Sequence, residues 1–166
     1  MEVHVLFIQT GGSIDKDYPA GKDNHGYSFL ITDPAYERIL KRIKPSFDFE
    51  TKTILQKDSL DITDSDRQLI YKTCADSKFD KIIITHGTDT MIETAEVLSG
   101  IRDKTIILTG SMVPEKFRDT DADFNVGSAV GAISVLPSGT YIAMHGRVVP
   151  YSKVVRESST GQFTFR

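Results

Sequence analysis

The chain has a single cysteine, Cys74, in 166 residues. That excludes an intrachain disulfide and a cysteine-built metal cage. A lone cysteine in a helical stretch reads as a small buried hydrophobe. Neither sign of charge dominates: 20 Lys and Arg stand against 23 Asp and Glu, a formal net charge of -3, with both signs spread along the chain. The dense basic face that a phosphate backbone demands is missing, which sets nucleic acid aside as a partner. No apolar run is long enough to cross a bilayer, and no basic leader with a long apolar stretch opens the chain. A cytoplasmic protein with no membrane partner is therefore expected. There is no internal repeat, low-complexity tract or domain linker. No histidine, cysteine or carboxylate cluster has metal-ligand spacing, and the phosphate-loop spacings GxGxxG and GxxxxGK[ST] are absent, so no cofactor is expected.

What is present is a soluble globular balance, 39% hydrophobic and 26% charged, at a length that suits one domain with a real core. Residues 2–8 read as a fully buried strand. Residues 9–32 are long for a connection and hold several glycines and aspartates together with Tyr18 and Tyr27. Asp33-Pro34 reads as an N-cap and first helical residue, opening a helix to about Ile43 that Pro45 stops. Phe47 to Leu55 alternates like a strand, and 56–62 reads as a turn. Thr63, with Asp66 three places on, is an acidic capping box for a helix with Leu69, Ile70, Thr73 and Cys74 on one face. Strands follow at 80–85, 104–109 and 140–144, with helices at 90–98 and 122–136 between them. Strands alternating with helices predict a three-layer, doubly wound, mostly parallel α/β sheet of Rossmann-like type.

Two turns carry the chemistry. Val3 to Gln9 runs straight into Thr10-Gly11-Gly12-Ser13-Ile14, which puts a hydroxyl at the carboxyl end of a strand beside two residues without bulk. Open α/β sheets place their ligands at that end. An alcohol needs a base or a polarised site to act as a nucleophile, and glycine N–H groups can face developing negative charge. Read alone, the same stretch is equally a plain tight turn. Ile82 to Thr85 likewise runs into His86-Gly87-Thr88-Asp89-Thr90. Asp89 can cap the following helix, but a cap does not account for the other polar and flexible residues packed there. Thr88 and Asp89 can hold an amine or a water for attack. His86, at a strand end, reads as a structural hydrogen-bonder.

Taken in order, TGGSI, KDSLDIT, ITHGTDTMIETA, ILTGSMVP and a loop ending in DADFN resemble the bacterial-type L-asparaginase/glutaminase family. The resemblance covers nearly all of this chain, but only the amino-terminal domain of the typical member. It implies that Thr10 is a nucleophile that attacks a side-chain amide carbon and forms an acyl-enzyme. It implies that Tyr18, or in its place Tyr27, is the loop tyrosine assisting it. Ser59 would bind the substrate α-carboxylate. Thr88 would position water and stabilise the oxyanion, Asp89 would hold the α-ammonium, and the backbone at Ser111 would meet the amide being cleaved. A zwitterionic substrate needs a carboxylate for its ammonium and donors for its carboxylate, and Asp89, Ser59 and the Gly11 backbone are of those types. The family's oligomers imply a homo-oligomer, a dimer or tetramer.

Three departures accompany the resemblance. Leu60 follows Ser59 where many members have a polar group. The family's catalytic lysine is assigned to Lys153, with Arg156 as the other register; arginine stays protonated and cannot shuttle a proton. Family members continue into a second, smaller domain, whereas residues 1–166 are read as one domain. The expected function is cleavage of the asparagine side-chain amide, or that of glutamine, across the ends of the first strand and the strand at 80–85. An amino-acid-binding module without turnover is the alternative. A phosphate- or nucleotide-binding domain ranks last.

Overall fold

A computed structural model describes residues 3–18 and 28–166. The elements in chain order are β1 (His4–Gly11), β2 (Lys16–Asp17), β3 (Leu30–Ile31), α1 (Ala35–Ile43), β4 (Asp48–Lys57), α2 (Asp64–Ala75), β5 (Lys81–Thr85), α3 (Met91–Leu98), β6 (Thr105–Thr109), α4 (Ala122–Ile133), β7 (Gly139–Met144), β8 (Arg147–Pro150), β9 (Val154–Arg156) and β10 (Phe163–Phe165). Six strands form one sheet in the order β4-β1-β5-β6-β7-β8. All neighbours are parallel except β7 and β8. Two short antiparallel pairs, β2 with β3 and β9 with β10, lie outside it.

The central strands are apolar on both faces because helices cover both. Leu6 and Ile8, with Ile82, Ile84, Ile106 and Leu108, pack under Ile70 and Cys74 of α2 and Met91, Ala95 and Leu98 of α3. The intervening Val5, Phe7, Ile83 and Ile107 pack under Tyr36 and Leu40 of α1 and Ala129 and Ile133 of α4. This is the expected three-layer α/β architecture. It also has a feature that strand order alone does not reveal. The connections β5–α3–β6 and β6–α4–β7 step the same way across the sheet, yet their helices lie on opposite faces. They therefore have opposite hands. The β6–α4–β7 crossover is opposite to the other three, which share the usual right-handed sense.

Several local expectations are met and others need correction. Thr63 caps α2 in a complete box: its side chain accepts from the Asp66 N–H, and the Asp66 carboxylate accepts from the Thr63 N–H. Of the proposed inner face, Ile70 and Cys74 are buried, but Leu69 is exposed, because α2 covers only one margin of the sheet. Residues 56 and 57 belong to β4, not to the turn. Asp33 does not cap α1. The Ala35 N–H donates instead to Asp15, 20 residues upstream, at 2.7 Å. The terminal segment, silent in the residue pattern, supplies the antiparallel edge strand β8 and the β9–β10 hairpin, whose Val154 and Phe163 join the core beside α3. Among the described residues no helix is long and apolar enough to cross a membrane.

Candidate active site at the ends of the parallel strands

Four turns leave the carboxyl ends of β1, β4, β5 and β6 and interlock. Gly12 has φ +93, and a Cβ there would sit 2.3 Å from the Gly87 nitrogen. A Cβ on Gly87 would meet Ser59 Cβ and Oγ at 2.6 Å. The TGG turn, the HGTD turn and Ser59 thus stack in contact, which only residues without side chains permit. The Gly12 N–H donates to the Lys57 carbonyl at 3.0 Å. Lys57 is in turn paired with Asp66 in the α2 capping box at 2.8 Å. Lys16, just past the first turn, reaches Asp58 at 2.5 Å. The first turn is therefore held to the end of β4 by a backbone bond and an ion pair.

Thr10 is wholly buried at the end of β1, and its hydroxyl donates to the Thr85 carbonyl of the adjacent β5 at 2.7 Å. Gly11, with φ +112, lies against the Lys57 backbone. Ser59 is buried; its Oγ accepts from the Asp89 N–H at 3.2 Å, and its carbonyl accepts from the Thr90 hydroxyl at 2.8 Å. Thr88 is nearly buried, while Asp89 is exposed. Ser111 is buried after β6 and donates to the Val113 carbonyl at 2.6 Å. The structure thus gathers Thr10, Gly11, Ser59, Thr88, Asp89 and Ser111 on one edge of the sheet.

Tyr18 and Lys153 are both at the surface. Tyr18 is exposed and stacks on Phe29, with ring centroids 4.2 Å apart. Tyr27 lies outside the described residues. Lys153 is exposed on the 151–153 turn, and among the described residues its ammonium has no hydrogen bond or ion pair. Arg156 reaches the HGTD turn: its Nη2 pairs with Asp89 Oδ1 at 2.8 Å. Leu60 is 73% exposed. A surface cavity of about 650 Å³ borders the Lys16–Asp58 pair and is lined also by Phe29, Leu30, Gln56 and Lys57; Thr10 and Thr88 do not line it.

The protonation states behind the site follow from burial. His86 is fully buried; its Nδ1–H donates to the Gly87 carbonyl at 2.7 Å, and the Thr94 hydroxyl donates to Nε2 at 2.8 Å. Desolvation pushes the imidazole down to about 4, so both nitrogens are occupied and the ring is neutral at pH 7. It is the structural hydrogen-bonder expected at a strand end. Asp15 is also buried, and desolvation raises its carboxyl to about 7, against the bonds from the Ala35 N–H and Gln9 that pull it down. Among the described residues no three His, Cys, Asp or Glu side chains come together as a metal site.

Sequence reasoning missed the clamp on the turn after β6. Asp121 Oδ1 accepts from the N–H groups of Met112 and Val113, each at 3.0 Å. Asn125 Nδ2 donates to the Gly110 carbonyl at 3.0 Å, and its Oδ1 accepts from the His145 N–H. The DADFN stretch carries both residues, and their spacing of four on one helix end was the available signal.

Comparison with known proteins agrees with this architecture. The family model described as "Asparaginase, N-terminal" matches residues 4–166. The L-asparaginase of Thermococcus kodakarensis is 31% identical over 168 residues, covering 98% of this chain and 50% of that protein. The glutaminase-asparaginase of Acinetobacter glutaminasificans is 31% identical over 140 residues, covering 79% of this chain and 42% of its own length. The solved structure of the thermostable Thermococcus kodakarensis L-asparaginase superposes with a TM-score of 0.82 at 26% identity, over 98% of this chain and 51% of that one. L-asparaginase I of Vibrio cholerae superposes with the same TM-score at 23% identity, over 99% of this chain and 52% of that one, a likeness of fold. The chain spans about half the length of the curated relative it matches end to end. With its sheet, its interlocked glycine turns and the order of its motifs, the chain belongs to the asparaginase family and corresponds to the N-terminal domain of that family.

Proposed function

We propose that this chain hydrolyses a side-chain carboxamide of the L-asparagine or L-glutamine type, releasing ammonia, with Thr10 as nucleophile. The observation that carries the reading is the contact between the TGG and HGTD turns. Gly12 abuts Gly87, so that Thr10 and Thr88 sit on interlocked turns of neighbouring parallel strands. In the first step Thr10 Oγ attacks the amide carbon, the C–N bond breaks, and ammonia leaves with the hydroxyl proton. Water then attacks the ester, regenerating Thr10 and giving the free acid. Thr88 positions that water, and the Gly11 and Ser111 backbones flank the amide. The Ser59 Oγ accepts from the Asp89 N–H, which leaves its own proton to donate to a substrate carboxylate. In this reading Asp89 faces the amino end of the substrate. Tyr18 and Lys153 are both exposed, and their parts in proton transfer rest on the family resemblance. A homo-oligomer is part of the same reading, checked by light scattering.

A second reading, binding without turnover, is favoured by two observations. The Thr10 hydroxyl is committed to the Thr85 carbonyl in a wholly buried position, and the cation at Asp89 is an arginine. Ammonia release from a panel of short carboxamides, including L-asparagine and L-glutamine, decides between the two. Hydrolysis predicts release that falls roughly 10³-fold or more in Thr10→Ala, and trapping of the acyl-enzyme by hydroxylamine. Ligand-induced thermal stabilisation in both proteins, with no ammonia from either, would establish the binding module instead.

A further inference from the structure

The two outer strands of the main sheet differ. β8 is four residues long and closes on Pro150. β4 runs ten residues, Asp48–Lys57, and among the described residues it pairs with β1 alone. It contains no proline or glycine, and its register against β1 is regular from Asp48 to Thr53. Alternate N–H and C=O groups along that stretch therefore point away from the sheet, a row that another strand can pair with. Residues 48–53 are all exposed. Long edges are commonly blunted by proline, by a bulge or by lysines. Here the regular stretch carries charges of both signs. Glu50 and Lys52 lie beside Leu6 and Ile8 of β1, on the face that α2 covers. Glu50 meets the exposed Lys78 at 3.0 Å, and the Lys52 ammonium has no hydrogen bond or ion pair among the described residues. An exposed pair of that kind contributes little and is readily exchanged.

We propose that β4 is an interaction surface for a second copy of this chain, the two β4 strands pairing antiparallel about a two-fold axis at Thr51. A two-fold contact joins the same patch on both copies, so the strand must complement itself when reversed. Centred on Thr51, it does. Glu50 faces Lys52 of the second copy, and Lys52 faces its Glu50. Phe49 faces Thr53, and Thr51 faces Thr51. Opposite charges, an aromatic against a β-branched residue and threonine against threonine are the cross-strand pairs that stabilise antiparallel sheet. Moving the axis one residue, to Glu50 or to Lys52, sets like charges directly opposite each other, which is destabilising. The side-chain pattern thus selects one register. The contact runs along the flank of the sheet and leaves the turns after β1, β5 and β6 uncovered, so it stands independently of the hydrolase reading.

Sedimentation velocity over a concentration series is expected to show a monomer–dimer equilibrium. Lys52→Glu sets two like-charge pairs across the axis and should weaken the dimer roughly tenfold or more. The double variant Glu50→Lys with Lys52→Glu reverses both charges and should restore it. An independent arm uses cross-linking. Mild oxidation of Thr51→Cys should give a disulfide-linked dimer, because residues on the axis face each other with Cα atoms about 4.5–5.5 Å apart. Thr53→Cys, on the same face, lies about 14 Å from its own counterpart and should not cross-link. The native Cys74 is buried and does not compete. Circular dichroism of each variant confirms that it is folded. A chain that stays monomeric at every concentration leaves the edge to a strand of another protein and overturns the proposal. So does a dimer that Lys52→Glu leaves intact, or one that the double variant fails to restore. Cross-linking of Thr53→Cys as fast as Thr51→Cys likewise overturns it.

Discussion

Replacing Asp15 by asparagine should expose an acid sensitivity that the native chain hides. Two fully buried groups titrate in opposite senses behind the site. His86 is held down to about 4 in the fold by desolvation, against an ordinary value of 6.5. The unfolded chain therefore binds more protons between those limits, and stability is lost as pH falls from 6.5 toward 4. Asp15 is raised by desolvation from 3.8 to about 7, so the folded chain binds more protons, and stability is gained as pH falls across that range. Each group alone gives a slope of about 1.4 kcal/mol per pH unit in its window, with opposite sign. Between about pH 4.5 and 6.5 the two nearly cancel, and the native unfolding free energy should be flat. Below about pH 4 it should drop, because Asp17, Asp58 and Asp66 are held low by Lys116, Lys16 and Lys57 and lose their pairs when protonated. In Asp15→Asn only the His86 slope remains, so stability should fall by about 2–3 kcal/mol from pH 6.5 to 4.5. In His86→Asn it should rise over the same interval. The chain has no tryptophan, so urea unfolding is followed by circular dichroism at each pH. The readout is the slope, which a uniform loss of stability in either variant does not alter. Parallel profiles for wild type and Asp15→Asn would refute the reasoning.

Gly12→Ala should destabilise by about 3 kcal/mol or more, since the added methyl lies 2.3 Å from backbone at a strained φ, whereas Gly127→Ala, on an open face of α4, should stabilise by about 0.5–1 kcal/mol. Thermal melts of the pair check the contrast, and equal effects would contradict it. Lys104→Met should cost about 1–3 kcal/mol in urea unfolding, because the Ser77 and Phe79 carbonyls lose the buried ammonium that donates to them at 2.8 and 2.9 Å. Burial pushes the Cys74 thiol up to about 12, so it should resist a disulfide reagent in the folded chain and react at once in denaturant. Rapid labelling under native conditions would show that α2 does not seal it.

The neighbouring parts of the chain declare what short-range chemistry decides. Runs such as Ile82-Ile83-Ile84 and Ile106-Ile107-Leu108 announce strands covered on both faces, because no alternation of polar residues leaves a side for water. Thr63 and Asp66 announce the start of α2, because a capping box closes within four residues. The glycines after β1 and β5 announce close approach, and the order of the motifs announces the family. Tertiary structure alone decided what depends on partners distant in the chain. The first turn of α1 is capped by Asp15 rather than by the adjacent Asp33, since burial beside Gln9 brings that carboxylate to the Ala35 N–H. The hand of the β6–α4–β7 crossover is visible only once α4 is placed on the sheet face that α1 covers and not on that of α3. The choice of Arg156 over Lys153 at Asp89 spans 67 positions and is settled by the β9–β10 hairpin folding back against α3. Local hydrogen bonds and sterics are written within a few residues. A contact between remote side chains exists only after the crossovers have placed their strands.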